Sequence, residues 1–287
     1  MKIVVSYISS LYEKEETIKK IDESTADGIH VDLMDGIYVK NNNLDISNLY
    51  SLFKNINKPI DIHLMCDKPS KYFNELFKLK PICIYIHPDT EDNPYQILKE
   101  IKSHNIKTGI VINPNEEIDK YNDYYPFIDR VLLMSVYPGK GGQEFLKETA
   151  KRLEELIKYK NKHEFEIYID GGINDETIKL VSKADGVVSG SFVCNNVDFN
   201  KQIEKLKINK KLTIWAILKL IPLIIFLEIA VYYTIRGVNC SSSLVGYKKC
   251  DFLSGMLLIL KLCFPFAIAS LILFISGIID LVKNYKK

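Results

Sequence analysis

No block of like charge marks the first two-thirds of the 287-residue chain, where basic and acidic residues stay interleaved. Across the whole, 38 lysines and arginines against 36 acidic residues leave a formal charge of +2, so no nucleic-acid partner is expected. There is no Cys-x-x-Cys pair among the six cysteines, which removes the usual zinc and redox spacings. Cys66, Cys83 and Cys194 read instead as small core residues. No Gly-x-Gly-x-x-Gly follows the first apolar run, which speaks against a dinucleotide-binding open sheet. Nothing like a secretory signal opens the chain at Met1–Tyr7. Long hydrophobic runs are missing too, up to about Lys211.

What is there up to Lys207 is a repeating alternation. Eight short β-branched runs recur: KIVVS, GIHVDLM, PIDIHLM, ICIYIH, TGIVIN, RVLLMS, FEIYID and GVVSG. Amphipathic, Lys/Glu-rich stretches such as YEKEETIKKIDES, PSKYFNELFKLK, NPYQILKEIKSH and ETAKRLEELIKYK lie between them. Eight strands alternating with helices predict an α/β fold, the (β/α)8 TIM barrel, over residues 1–207.

Residues 208–287 change character. Two apolar runs, at about 213–235 and 254–279, are each long enough to cross a bilayer as a helix and predict a membrane hairpin. Lys201, Lys205, Lys207, Lys210 and Lys211 precede the first run, and Lys283, Lys286 and Lys287 follow the second. The positive-inside bias then predicts a multi-pass cell-membrane protein with the barrel and both ends cytoplasmic. Cys240 and Cys250 fall in the connecting loop and could pair, whereas Cys263 lies in the second run. In an antiparallel hairpin Glu228 and Lys261 sit at nearly equal depth, which predicts an ion pair between the spans.

Active sites of such barrels lie at the C-terminal ends of the strands. The polar residues collect there: Ser6, His30 with Asp32, His63, His87, Asn113, Ser135 and Asp170. His30 and Asp32 are two apart on one strand, so both project from the same face. A buried carboxylate without a partner is costly. His30, Asp32, His63 and Asp170 together make a mixed nitrogen and oxygen set suited to one divalent cation.

At these residues the chain resembles the ribulose-phosphate 3-epimerase family. HVDLMDG, DIHLM, INP, LMSVYPGKGGQEF, IDGGIN and SGSF stand in that family's order and cover nearly all of residues 1–207. The resemblance implies a metal (zinc, iron, manganese or cobalt) held by His30, Asp32, His63 and Asp170. It makes Asp32 and Asp170 the acid and base, inverting C3 of a phosphorylated ketose through a cis-enediolate. D-ribulose 5-phosphate is the substrate it implies, with allulose 6-phosphate as the enzymatic alternative. Ser6, His63, Met34, Met65 and Met134 would surround the reacting carbons. Gly139, Gly141, Gly142, Gly171, Gly172, Gly190 and Ser191 would form the phosphate end. The sequence departs from the family pattern at VSYISSL, at Tyr137 and Lys140 in the glycine loop, and after Val39, where a proline is usual. These departures leave the sugar open. The expected partners are the sugar phosphate and, through the hairpin, the lipid bilayer; self-association stays open. A membrane-tethered sugar-phosphate sensor is the alternative from another class, and the complete carboxylate and imidazole set argues against it.

Overall fold

A computed structural model describes residues 1–207. The two spans, the loop cysteines and the Glu228–Lys261 pair lie outside the described residues. Among the described residues, no helix is long and apolar enough to cross a membrane.

Eight parallel strands close into a barrel in sequence order. They are β1 (Lys2–Ser6), β2 (Gly28–Met34), β3 (Ile60–Met65), β4 (Cys83–Ile86), β5 (Lys107–Ile112), β6 (Arg130–Met134), β7 (Glu166–Asp170) and β8 (Gly186–Ser189). Closure is made by β8 against β1, with Val5 opposite Ser189. The surrounding helices are α1 (Lys14–Asp22), α2 (Ile46–Phe53), α3 (Phe73–Leu76), α4 (Pro94–Ser103), α5 (Thr149–His163), α6 (Ser191–Cys194) and α7 (Phe199–Leu206).

The strands fall within a residue of the eight expected runs, because a strand buried on both faces must be apolar on one side and specially equipped on the other. Every residue of β2 is buried. Ile29, Val31 and Leu33 join the outer core beneath the helices, and His30, Asp32 and Met34 alternate with them toward the barrel interior.

Helix starts follow local chemistry. Asn93 caps α4 by accepting from the Gln96 N–H, with Pro94 in the first turn. Asp198 caps α7 in the same way through Lys201.

The helical layer is less regular than the sequence pattern predicts. PSKYFNELFKLK forms a four-residue helix between two 3-10 turns, with Lys68 and Lys80 in the left-handed region on either side. The β5–β6 connection holds two 3-10 turns, Ile118–Tyr121 and Tyr125–Phe127. The β7–β8 connection holds one, Thr177–Val181. Conversely, α2 arises from ISNLYSLF, a stretch without the Lys/Glu signature of the others.

The lower barrel is filled by large groups. Tyr85, Tyr168 and Arg130 are fully buried. Gly109 makes room for the first, since a Cβ there would lie 2.2 Å from the Tyr85 ring. The Arg130 guanidinium lies 4.6 Å from the centre of the Tyr168 ring. It pairs with Glu166 at 2.8 Å and approaches Asp61 at 3.6 Å. The barrel floor is thus closed by an ionic chain, above which the polar strand ends open to the surface.

Candidate active site

Register assembles the site. In the β2–β3 pairing His30 lies opposite Asp61, Asp32 opposite His63, and Met34 opposite Met65. Two polar rungs therefore stand side by side below a methionine rung. Asp170 ends β7, and Ser135 locks that end: its N–H donates to the Asp170 carbonyl at 2.8 Å, leaving its single O–H for the Gly171 carbonyl at 2.5 Å.

His30, Asp32, His63 and Asp170 each present one donor atom, all within 4.8 Å of one another. His30 Nε2 lies 3.4 Å from Asp32 Oδ1 and 4.0 Å from Asp170 Oδ2. His63 Nδ1 lies 3.1 and 3.9 Å from the same two carboxylates. Four ligands each about 2.0–2.2 Å from a common cation stand roughly 3.3–3.6 Å apart in a tetrahedral arrangement. His30 Nε2 is buried and has no hydrogen-bond partner among the described residues, while its Nδ1 is held by Asp61 at 2.6 Å. An imidazole with one nitrogen fixed by a carboxylate and the other bare and buried is the arrangement a metal-ligating histidine needs. The residues fit a divalent cation.

The charges in the cluster are unequal. Burial would raise the Asp32 carboxyl pKa, but the His30 and His63 rings outweigh that and hold it well below the ordinary range. Asp170 is pushed up to about 7 by burial and then by the charge of Asp32. Burial disfavours a charged His30, yet Asp32 and Asp61 more than offset this and raise its pKa well above 6.5. His63 is lowered, chiefly by burial. One carboxyl is therefore ionised near neutrality while its neighbour takes up a proton readily, the split expected of an acid and base working together.

Above the cluster opens a cleft. Asp32, His63, Asp170, Met65 and Met134 line its floor. Ser6 lines it too and donates to Asp32 Oδ2 at 2.7 Å. Gly139, Gly141, Gly142, Gly171, Gly172, Gly190 and Ser191 form the rim, together with Tyr137 and Lys140. Met34 is buried and does not line the cleft, and His30 reaches the cluster from beneath without lining it either. Gly172 shows why this rim must lack side chains. Its φ is +60°, and a Cβ would stand 2.6 Å from the Phe145 nitrogen.

Asp61 and Tyr38 are not singled out by sequence, nor are Ser9 and Gln143 along the cleft. Asp61 alternates with His63 on β3 as His30 does with Asp32 on β2, and that signal was available. Tyr38 comes from the loop after β2, where no periodicity applies. Its hydroxyl lies 2.9 Å from His87 Nδ1.

Fold and mouth together define the class: a TIM-barrel enzyme. The sequence pattern of the "Ribulose-phosphate 3 epimerase family" matches residues 2–194. A ribulose-phosphate 3-epimerase of Helicobacter pylori (strain ATCC 700392 / 26695) is 38% identical over 214 residues, covering 72% of this chain and 97% of its own. The Bacillus subtilis (strain 168) enzyme of that name is 31% identical over 198 residues, 67% of this chain and 91% of its own. The tryptophan synthase alpha subunit of Campylobacter jejuni superposes with a TM-score of 0.53 at 16% identity, over 71% of this chain and 94% of that one, a likeness of fold alone. The chain belongs to the ribulose-phosphate 3-epimerase family and is an isomerase of carbohydrate metabolism.

Proposed function

We propose that the barrel epimerises C3 of a ketose phosphate, converting D-ribulose 5-phosphate to D-xylulose 5-phosphate by proton transfer between two carboxyl groups through a cis-enediolate. One observation carries this reading: Asp32 and Asp170 converge on one cleft floor, each presenting a carboxylate oxygen to the same cluster. Ionised Asp32 takes the proton α to the carbonyl from one face of the sugar. Asp170 returns one to the other face, and the roles reverse for the back reaction. Ser6 holds Asp32 through Oδ2 and so fixes the plane of the base. Met65 and Met134 offer apolar walls that neither titrate nor attract water. When bound by His30, Asp32, His63 and Asp170, a divalent cation supplies electrostatic stabilisation for negative charge developing on the sugar oxygens. Glycine-rich turns at Gly141, Gly142, Gly172 and Gly190, with Ser191, let backbone N–H groups approach the phosphate. Lys140 lines the same rim, which keeps a related ketose phosphate such as allulose 6-phosphate as the second substrate to assay.

The proposal extends to residues 208–287 as a hairpin tethering the enzyme to a membrane. Its support is the two apolar runs and their flanking lysines; retention of the full chain in membranes after alkaline carbonate washing tests it.

For the reaction, the full chain is stripped of metal, reloaded with zinc or manganese, and given ribulose 5-phosphate in deuterated water. Xylulose 5-phosphate should form with deuterium at C3, only in the reloaded sample. Binding of the sugar phosphate without exchange or product would reject ribulose 5-phosphate as the substrate.

A further inference from the structure

His63 does not end at the cluster. Its second nitrogen, Nε2, lies 2.9 Å from His87 Nε2. Both rings are buried, and His87 continues through Nδ1 to the Tyr38 hydroxyl at 2.9 Å. Asn113 Nδ2 donates to that same hydroxyl oxygen at 3.0 Å. A chain of hydrogen bonds thus runs from the cleft floor through two imidazoles to the loop after β2.

Two facing ring nitrogens this close can share one hydrogen only, so the tautomers of His63 and His87 are coupled. The chain has two polarities. In the first, His63 Nδ1–H donates to Asp32, His87 Nε2–H to His63, and Tyr38 O–H to His87 Nδ1. In the second, His63 Nε2–H donates to His87 Nε2, and His87 Nδ1–H to the Tyr38 oxygen. Each ring keeps one hydrogen in both. The proton that leaves His63 Nδ1 through Asp32 is balanced by one regained from solvent at Tyr38. Only the second polarity leaves a lone pair on His63 Nδ1, the atom that faces Asp32 and Asp170. The Asn113 amide can donate to the Tyr38 oxygen in either polarity, and the same nitrogen lies 3.5 Å from His87 Nδ1, so it does not choose between them; a cation at His63 Nδ1 does.

We propose that His87, held by Tyr38, is the positioning residue that makes His63 a nitrogen ligand for the divalent cation, by accepting the hydrogen that His63 must carry on Nε2. The proposal rests on the metal reading of the cluster. It separates hydrogen bonding from ring packing, since the His63 and His87 rings also lie 5.1 Å apart centre to centre.

The test uses the full chain and zinc. Outer partners of metal-ligating histidines are worth about 10–100-fold in affinity. His87→Phe keeps a ring but no acceptor and should weaken zinc binding by that factor in a competition against a chromophoric chelator. His87→Gln loses the ring but offers Oε1 to His63 Nε2–H, and should recover affinity to within a few-fold of wild type. In zinc-loaded wild type labelled with 15N at histidine, His63 should be protonated at Nε2 and His87 at Nδ1. Equal zinc affinity of His87→Phe and wild type, or a Gln variant as weak as the Phe variant, would overturn the proposal. So would a His87 protonated at Nε2 in the loaded wild type, a result that depends on no variant folding. If wild type itself binds no zinc, the metal reading falls and the proposal with it. If wild type binds and His87→Phe binds equally, the proposal alone falls.

Discussion

The two walls of the cleft are built on opposite plans. On the β2–β3 side the barrel interior is crowded with ionisable side chains: His30, Asp32, Asp61 and His63 are all buried and linked to one another. On the β6–β8 side Asp170 reaches that cluster from the end of β7, and the loops beyond it carry Gly139, Gly141, Gly142, Gly171, Gly172 and Gly190 along the rim. The difference follows from what each wall faces in the proposed reaction. A compact cation and a migrating proton need donor atoms at fixed distances, which strands supply because their register is rigid. A phosphate group needs several N–H donors close together, which backbone supplies where no Cβ intervenes. Substitutions on the first wall should therefore affect chemistry with little change in fold. Those on the second should disturb local structure and substrate affinity together.

The largest expected effect is on the ionisable cluster, which the first wall shares with Asp170 of β7. Asp32→Asn or Asp170→Asn removes a proton carrier and a charge while keeping size and most hydrogen-bonding shape. Turnover should fall by roughly 10²–10⁴, the usual contribution of a general acid or base, or further if the cation is also lost. Far-ultraviolet circular dichroism and cooperative melting should survive. Near-wild-type turnover in either variant would show that the two carboxyl groups are not the proton carriers.

Next comes the second wall. Gly172→Ala places a Cβ 2.6 Å from the Phe145 backbone nitrogen at a φ of +60°, so the turn after β7 must move. A destabilisation of about 1–3 kcal/mol is expected, with KM for the sugar phosphate raised more than kcat is lowered. Thermal melting and steady-state kinetics together read this. A variant with unchanged melting and KM, and a collapsed kcat, would erase the distinction between the walls.

The same contrast explains what the sequence disclosed. Strands were legible because each parallel strand is a short apolar run, and β2 and β3 announced their wall by placing His30, Asp32 and His63 in period-two alternation with aliphatic residues. Glycines in SVYPGKGGQ and IDGGIN disclosed the other wall. Helices were less legible where local geometry interrupts the pattern. The eightfold alternation calls for a helix between β5 and β6, yet that segment folds into turns around Tyr121 and Tyr125, both buried. Helix α2 begins at Asp45, whose side chain accepts from the Asn48 N–H. That cap was visible in DISN, although the Lys/Glu pattern passed it by. The approach of Tyr38 to His87, 49 positions away, depends on the path of a loop, which neither periodicity nor composition encodes.

The smallest expected effect sharpens the distinction between the ionisable cluster, which exchanges protons, and the glycine rim, which does not. Asp170 has a pKa of about 7 against an ordinary 3.8. Below about 3.8 it is protonated in folded and unfolded chains alike, so the favourable contribution of its raised value is fully present there. That contribution is lost as pH rises toward the folded value. His30, raised above 6.5, acts in the same sense at higher pH: its contribution is present below 6.5 and lost as pH passes its folded value. Asp32 is shifted the other way and loses its contribution only as pH falls below the ordinary carboxylate value, outside this window. Without added metal, these two groups therefore make the barrel less stable as pH rises from about 4 to above 7. Zinc must displace the same protons, so its stabilising effect should grow over that range. Each displaced proton is worth up to tenfold in affinity per pH unit, about 1.4 kcal/mol or roughly 3–6 °C in Tm for a domain of this size. Melting curves with and without saturating zinc at several pH values between about 5 and 8 measure the gain. In Asp170→Asn the gain should depend less on pH, because one of the two exchangeable protons is gone. A gain in wild type that stays constant across the range would mean that neither Asp170 nor His30 releases a proton to the cation.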